Sequence, residues 1–402
     1  MAKQWEEKKV SLGGTIVVGA ITLVVGIALG IAWNVFAPKF LPYLGIQSAA
    51  THDWSALDEV YNTLAANYDG EIDQKAIVEG AKKGLVAAIG DVYTEYMTDT
   101  EAEEYEALLH GDVGAGIGIE MGLRDGYVRV IRTLPDNPAG KAGVKAGDII
   151  YKVNGEEVYN ESTETIANKL RGAAGTEVEL TVVRDGEEKS FKLTRETINN
   201  VSAYAEYDDN TAIITVSRFD NDTGSRVQKI VNEEFPGKNI KKVILDLRSN
   251  GGGYVSAAKD LLSLWIDGEA VLIQKGAHMN NTTTYANRSQ AKLANMPTIV
   301  LVNGGTASAS EIVAGALKDY DKATIIGEKT FGKGVVQTLL NLSHNTMLKV
   351  TTARWYTPKG NSINGDGIQP DVEVELTYDD ANHSRDPQMD AAKKYNIKEK
   401  TS

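Results

Sequence analysis

The sequence predicts a multidomain protein of the α/β (α+β) class that begins with a single transmembrane helix. Apolar runs typical of buried strands alternate with helical stretches in the second half of the chain, a β-rich segment precedes them, and an apolar segment lies near the amino terminus. The length of 402 residues exceeds that of one ordinary domain. Hydrophobic residues make up 42% and charged residues 24% of the chain, which indicates globular domains.

The amino-terminal apolar segment comprises residues 12–36 and contains no charged side chain. At about 1.5 Å per residue, a helix of this length crosses an apolar bilayer core of about 30 Å. Lysines within residues 1–11 favour a cytoplasmic amino terminus, with the rest of the chain outside the cytoplasm. A cleaved signal peptide is the alternative, but the apolar run is longer than a signal core and the nearest small-residue site, Ser48-Ala49-Ala50, lies downstream. We expect an uncleaved signal-anchor, followed by a linker over residues 37–52.

The two segments after the linker differ in pattern. Residues 53–110 repeat apolar side chains at helical spacing, which predicts a small helical region that needs a surface to pack against. Residues 111–197 carry short strands with turn signals, including the hairpin dipeptides Asn154-Gly155 and Asp185-Gly186. This second segment is therefore a predicted β-rich domain.

Residues 198–376 form a predicted α/β core with a layered sheet, and residues 377–402 form a charged tail. The apolar runs of the core are short and nearly continuous, as in strands that are buried on both faces. The predicted strands are Ala212–Val216, Val243–Leu247, Thr298–Val302, Ala323–Ile326 and Val350–Trp355.

Ser308 lies between a small-residue loop and a predicted helix over Ser310–Tyr320. A hydroxyl at this position faces free backbone N–H groups and the positive end of the helix dipole, which favour a developing oxyanion. A serine that only caps the helix is the alternative.

Lys333 is the candidate partner of this serine. If residues 331–337 are extended, Phe331, Lys333, Val335 and Gln337 share one face. A lysine between apolar neighbours is partly desolvated, and desolvation disfavours the ammonium form, so the lysine can accept a proton near pH 7. A lysine that extends to water is the alternative.

A glycine-rich turn, Arg248–Gly253, follows the predicted strand Val243–Leu247. Sheets of this class place their sites at the carboxyl ends of strands, and glycines let a backbone N–H approach a substrate oxygen closely. A phosphate-binding loop is the competing interpretation, but the pattern G-x-x-x-x-G-K-[ST] is absent here.

Composition excludes several kinds of chemistry. The chain has no cysteine, so disulfides, thiol catalysis and cysteine-based zinc sites are excluded. A net charge of −13 argues against nucleic acid as a partner. The five histidines are scattered and none shares a motif with Ser308; His344 lies in a predicted hairpin turn. A Ser/Lys pair is therefore the simplest catalytic hypothesis.

Three motifs, Asp246–Gly253, Ala307–Ile312 and Thr330–Gln337, together resemble the signature of the carboxyl-terminal processing peptidases, also called tail-specific proteases. The sequence departs from this pattern at Gly251, where the family usually has proline, and at Thr306, where it often has serine. The resemblance implies the following roles: Ser308 is the nucleophile, Lys333 the general base, Gln337 the residue that orients Lys333, and the amides of Gly252 and Ala309 the oxyanion hole.

The β-rich segment resembles a PDZ domain in the motifs Pro138–Asp148 and Val153–Gly155. In such domains a G-x-G-φ loop binds a free carboxyl terminus through its amides while the peptide adds a strand to a sheet edge. By position this loop consists of Gly116, Ile117, Gly118 and Ile119. Arg171 is a candidate link between this domain and the core that would gate the site, and an ordinary surface charge is the alternative. Gly90–Met97 resembles the family's G-D-P-Y-S-x-Y element with Val92 in place of proline, in a region that can help form dimers.

The resulting hypothesis is a membrane-anchored serine endopeptidase that cleaves extracytoplasmic proteins, periplasmic or extracellular, and whose PDZ domain binds substrate carboxyl termini. No metal ion or organic cofactor is implied, and the resemblance is compatible with a homo-oligomer such as a dimer. The alternative is a catalytically inactive, membrane-anchored PDZ adaptor that binds protein tails. An esterase-like acyl hydrolase is a third possibility, against which the missing G-x-S-x-G elbow counts.

Overall fold

The computed structural model describes Gly26 and residues 54–112, 114–124, 126–134, 136–198, 200–377, 379–380 and 385–396. The expected transmembrane segment, residues 12–36, lies outside the described residues except for Gly26, as do residues 1–11 and 37–52. Within the described ranges no helix has the length and apolar character needed to cross a membrane. The chain divides into two compact units, Met1–Ile77 and Val78–Ser402.

The described part of the first unit is helical, in agreement with the spacing of its apolar residues. It contains α1 (Ser55–Asn67) and the start of α2 (Gln74–Ala87). The apolar side chains of α1 are exposed: Leu57 is 53%, Val60 58% and Leu64 47% accessible. This helix therefore presents an apolar face to solvent.

The second unit continues with a short strand, β1 (Glu95–Met97), and helix α3 (Asp99–His110). A capping box starts α3, because the carboxylate of Glu101 accepts a hydrogen bond of 2.9 Å from the backbone N–H of Thr98. Gly111 ends the helix with a φ of 72°, a conformation that favours glycine.

The β-rich region folds as an antiparallel sheet in the order β3-β4-β5-β7-β8, with β6 paired to β5 and a separate pair β2-β9. Ile150, Ile166 and Leu180 are fully buried in its core. The elements are β2 (Ala115–Gly116), β3 (Ile119–Arg124), β4 (Tyr127–Thr133), α4 (Pro138–Lys141), β5 (Ile149–Val153), β6 (Glu156–Glu157), α5 (Thr163–Leu170), β7 (Glu177–Arg184), β8 (Glu187–Thr194) and β9 (Glu196–Thr197).

Both predicted hairpin turns are confirmed. Asn154 and Gly155 have φ values of 50° and 81°, and Asp185 and Gly186 have φ values of 55° and 79°. Two consecutive residues with positive φ form the turn whose twist matches that of paired strands, which explains the selection of Asn-Gly and Asp-Gly here.

The α/β core is built on a six-stranded sheet in the order β10-β11-β12-β15-β16-β19, parallel except for β10. Every residue of β15 is buried, as the continuous apolar run predicted. The carboxyl ends of β12, β15 and β16 lie side by side at one edge, where three loops meet. The strands are β10 (Ala203–Asp208), β11 (Thr211–Val216), β12 (Lys242–Asp246), β15 (Thr298–Val302), β16 (Thr324–Gly327) and β19 (Val372–Glu373).

A second sheet of the core has the order β1-β18-β13-β14, with β17 also paired to β18. The hairpin β17–β18 turns at residues 343–345, where His344 has a φ of 60°, so the turn expected around His344 is confirmed. The remaining strands are β13 (Ala270–Gly276), β14 (Met279–Tyr285), β17 (Val335–Asn341) and β18 (Met347–Tyr356).

The extended conformation considered for residues 331–337 is wrong in its first half. The strand β17 begins only at Val335, since Gly332 has a φ of 91°, which interrupts an extended chain. Phe331 is 56% exposed whereas Val335 is 9% exposed, so the two side chains do not share one environment. Lys333 thus lies on a loop and not on a strand face.

Helices cover the core sheet. The carboxyl-terminal helix packs on one face, where Ala392 contacts the layer of Ile213, Ile244 and Ile299, and the other helices pack on the opposite face with Leu245 and Val300. These helices are α6 (Thr223–Lys229), followed by a π-helical turn (Ile230–Glu234), α7 (Val255–Leu262), α8 (Ala309–Asp319) and α9 (Pro387–Lys394).

Leu245 in the central strand β12 is fully buried, so the substitution Leu245→Ala removes core contacts that cannot be replaced. We expect the free energy of unfolding to fall by about 2 to 5 kcal/mol, measured by urea denaturation. Leu340→Ala, at a leucine that is 44% exposed, is the control and should cost less than about 1 kcal/mol. Equal losses in both variants would contradict the assignment of β12 to the centre of the core.

Candidate active site

Ser308 lies on a sharp turn between β15 and α8. Its φ of 56° and ψ of −117° are unusual for a residue with a side chain, and such strain is typical of functional positions. The turn is tied to the neighbouring loop after β12: Ala307 N and Ser310 Oγ both donate to the carbonyl of Asn250, at 3.0 and 2.9 Å. The surrounding structure therefore holds the strained conformation in place.

The glycine-rich turn after β12 lies directly against Ser308. A β-carbon on Gly252 would lie 2.8 Å from Ser308 Cβ and 2.9 Å from the backbone nitrogen of Ala309, so only glycine fits at this position. Ala309 is the first residue of α8, where the N–H group has no acceptor within the helix. The N–H of Gly252, in contrast, donates to Asn250 Oδ1 at 2.9 Å. The structure thus brings the two expected oxyanion-hole residues together, with one of their amides already hydrogen-bonded.

Glu311 connects the two loops that carry the candidate nucleophile and base. Its side chain is fully buried, and its Oε2 accepts hydrogen bonds from the backbone N–H groups of Ser308 at 2.8 Å and Lys333 at 2.9 Å. Its Oε1 accepts from Thr330 Oγ1 at 2.5 Å and from the N–H of Gly332 at 2.7 Å. The backbones of Ser308 and Lys333 are therefore adjacent.

Lys333 is partly buried, and its backbone carbonyl accepts a hydrogen bond of 2.9 Å from Trp355 Nε1. Burial lowers the pKa of its amine, and the nearby charge of Lys349 lowers it further, against the opposing effect of Asp91 and Glu311. The Nζ atom lies 5.2 Å from the centroid of the Tyr93 ring. A lysine with a depressed pKa can act as a proton acceptor.

The described residues show no hydrogen bond from Lys333 Nζ to Ser308 or to Gln337. The side-chain amide of Gln337 donates instead to Thr351 Oγ1 at 3.4 Å. Arg171 is exposed at the end of α5, where its guanidinium donates to Asn168 Oδ1 at 3.3 Å. Within the described residues, neither side chain is hydrogen-bonded to the candidate base.

One cavity of about 1440 Å³ connects these groups. Ser308, Lys333 and Gln337 line it together with the loop Gly116–Ile119 of the β-rich domain and with Arg171. The loop is fixed by its carbonyl groups, since that of Ile117 accepts from Ala139 N and that of Gly118 from Leu134 N, each at 2.9 Å. The predicted peptide-binding loop and the predicted catalytic residues thus face one continuous space.

Two residues at this site were not predicted from the sequence. The sequence offered Ser308 as a helix cap, but it did not indicate that Glu311 binds the loop of Lys333. Tyr93 belongs to the motif Gly90–Met97, which was related to a family element without a role for its tyrosines. Its contact with Lys333 joins residues 240 positions apart, for which no local pattern exists.

The fold and the site define a serine peptidase that carries a PDZ domain. A model of peptidase family S41 matches residues 210–374, a PDZ model matches residues 115–194, and a model of the activating protease CtpB amino-terminal domain matches residues 44–102. A probable CtpA-like serine protease of Staphylococcus aureus is 34% identical over 375 residues, which cover 93% of this chain and 73% of the relative. One from Staphylococcus saprophyticus is 33% identical over 333 residues, covering 82% and 67%.

Solved structures agree with these matches. The photosystem II D1 carboxyl-terminal processing protease superposes with a TM-score of 0.52 at 29% identity, covering 81% of this chain and 87% of that one. An S41 protease from Bacteroides fragilis shares the fold, with a TM-score of 0.55 at 15% identity and coverage of 81% and 91%. The chain belongs to peptidase family S41 and is a serine peptidase, which confirms the resemblance to the carboxyl-terminal processing peptidases.

Replacement of Glu311 by glutamine should impair both stability and catalysis. The amide has one acceptor oxygen where the carboxylate has two, so two of the four donors around it lose their acceptor and face an NH₂ group instead. We expect a loss of about 2 kcal/mol or more in the free energy of unfolding and a fall in kcat of about 100-fold. Urea denaturation and cleavage of an unstructured protein measure the two effects. Glu233→Gln, at a carboxylate whose side chain is 64% exposed, is the control, and comparable losses there would refute this role.

Proposed function

We propose that this chain is a membrane-anchored endopeptidase of the carboxyl-terminal processing type, in which Ser308 and Lys333 form a catalytic dyad. The observation that carries the proposal is the shared carboxylate oxygen of Glu311, which binds the backbone N–H groups of both residues. The depressed pKa of Lys333, caused first by burial, supports its role as the base.

The proposed reaction begins with attack of Ser308 Oγ on the scissile carbonyl, while the hydroxyl proton passes to the neutral amine of Lys333. The N–H groups of Ala309 and Gly252 donate to the oxyanion of the tetrahedral intermediate. Lys333 then gives its proton to the leaving amine, and an ester to Ser308 remains. Water, deprotonated by Lys333, hydrolyses this ester and regenerates the serine.

Two adjustments complete this geometry. The amide of Gly252 must leave Asn250 Oδ1, and the side-chain carbonyl of Gln337, whose Nε2 donates to Thr351, must turn toward Lys333 Nζ in order to orient it. A net hydrogen bond in water is worth only about 1 kcal/mol, so substrate binding can supply the required free energy.

The PDZ domain is proposed to bind the carboxyl terminus of a protein substrate. The loop Gly116–Ile119 would receive the carboxylate, and the edge strand β3 would pair with the extended peptide. Because this loop and Ser308 line the same cavity, a bound tail could lead directly to the nucleophile. Arg171 lines this cavity as well, which supports a gating role.

The remaining proposals concern location and assembly. The apolar residues 12–36 are proposed to anchor the chain in a cell membrane, with the peptidase outside the cytoplasm. The exposed apolar face of α1, with Leu57, Val60 and Leu64, supports a homodimer in which this face is covered.

The first test is cleavage of β-casein, an unstructured probe protein, by the full chain in detergent. Ser308→Ala and Lys333→Ala should each reduce cleavage by at least about 1000-fold without changing the unfolding transition. Because the base must be neutral, wild-type activity should fall as the pH drops through the pKa of Lys333, which lies below 10.5. Activity that survives Lys333→Ala would exclude the dyad. If the wild-type chain cleaves neither β-casein nor unstructured proteins with varied carboxyl termini, the alternative of a catalytically inactive PDZ adaptor is favoured.

The second test concerns the PDZ loop and uses the Ser308→Ala chain. A fluorescent heptapeptide with a free carboxyl terminus should bind about tenfold or more tightly than its amidated form, measured by anisotropy. Gly118→Ala should remove this preference, because a β-carbon there would lie 2.2 Å from Asn137 Cβ. Gly126→Ala is the matched control, since Gly126 has a similar φ of 77° but no atom within 4 Å of such a β-carbon. Equal binding of both peptides would refute carboxylate recognition.

A further inference from the structure

The segment that carries Tyr93 is fixed on the sheet beside Lys333. Asp91 Oδ1 accepts from the N–H of Tyr93 at 3.1 Å, and Asp91 Oδ2 accepts from Thr94 Oγ1 at 2.6 Å. The N–H of Thr351 on β18 donates to Thr94 Oγ1 at 3.1 Å. The following residues form β1, which pairs with β18. These contacts fix the backbone of Tyr93 beside β18.

The ring faces an amine that makes no hydrogen bond within the part of the chain that the structure describes. The side-chain Nε2 of Gln337 donates to Thr351 Oγ1. Nζ lies 5.2 Å from the Tyr93 ring centroid, within the range of a cation–π contact. The Tyr93 ring is thus the group with which the amine of Lys333 makes a cation–π contact in this structure.

The charged groups around Lys333 come from three elements. Lys349 on β18 opposes the ammonium form, although Glu95 at 2.7 Å and the Tyr105 ring at 4.8 Å partly balance its charge. Asp91 and Glu311 favour the ammonium form. Burial raises the pKa of Asp91, but hydrogen bonds from Thr351 and Thr94 outweigh it, so its pKa lies below the usual value and its charge is present at neutral pH.

We propose that Tyr93 is a positioning residue for the general base: its ring seats the amine of Lys333 and stabilises the ammonium that forms when Ser308 gives up its proton. This inference rests on the proposed dyad. A ring favours the cation without accepting a hydrogen bond, so it can steady Nζ and still leave its lone pair free to take the proton.

The test compares pH profiles of β-casein cleavage for the wild type, Tyr93→Leu and Tyr93→Phe in the full chain. Loss of the ring removes support for the ammonium, so Tyr93→Leu should move the acidic limb of kcat to lower pH by about 0.5 to 1 unit. Its kcat on the plateau should fall about threefold to thirtyfold. Tyr93→Phe retains the ring, so the acidic limb of its kcat profile should lie at the wild-type pH.

Tyr356→Leu is the matched control, because the ring of Tyr356 makes the same kind of contact with a different amine, Lys275 Nζ at 4.6 Å. Tyr356→Leu should leave the acidic limb of the kcat profile at its wild-type pH. An acidic limb of Tyr93→Leu that stays fixed or moves to higher pH would overturn the proposal, as would an equal shift in Tyr356→Leu or in Tyr93→Phe.

A direct titration separates this inference from the proposed function. Reductive methylation with ¹³C-formaldehyde gives each lysine an NMR signal, and that of Lys333 is assigned by its absence in Lys333→Ala. The midpoint of this signal should be lower in Tyr93→Leu than in the wild type. If Lys333→Ala remains active, the dyad fails whatever the midpoint does; if the midpoint is unchanged while Lys333→Ala is inactive, only the role of Tyr93 fails.

Discussion

The buried carboxylate of Glu311 is the interaction on which the geometry of the site depends. A buried charge is costly unless donors replace its lost hydration, and here four donors surround the carboxylate, from Ser308, Thr330, Gly332 and Lys333. Its place in the first turn of α8 adds the favourable field of the helix dipole. Because the donors come from two loops, the same interactions that solvate the charge also set the relative position of nucleophile and base.

Close backbone packing imposes the second constraint. The chain can bring Ser308 against the glycine-rich turn only because Gly252 lacks a side chain, and Gly253 is equally restricted, since a β-carbon there would lie 2.1 Å from the carbonyl oxygen of Phe219. The parallel strands β12 and β15 deliver both loops to the same edge of the sheet. The positive φ of Ser308 is maintained by this packing, which the local sequence alone would not favour.

Most of the fold could be predicted because its signals are local. Continuous apolar runs marked the core strands, and Asn154-Gly155 and Asp185-Gly186 marked hairpins through the φ values that these residues tolerate. The candidate nucleophile and base were found from short motifs. The conformation around Lys333 was mispredicted because one glycine, Gly332, turns the chain where alternation suggested a strand. Contacts of Glu311 and Tyr93 with the loop of Lys333 arise from tertiary packing, which no period or spacing encodes.

The environment of Lys333 meets two opposite chemical demands. A general base must be largely neutral before the reaction, which burial and the charge of Lys349 promote, yet its ammonium must be stabilised once the proton arrives. A carboxylate hydrogen-bonded to Nζ would satisfy the second demand at the cost of the first, because it would fix the proton on the amine. Asp91 and Glu311 favour the ammonium form of Lys333 by electrostatic attraction alone, because their carboxylates accept hydrogen bonds from other groups. An aromatic ring in contact with Nζ supplies a weaker stabilisation than an ion pair, which suits a group that must gain and lose a proton in each cycle.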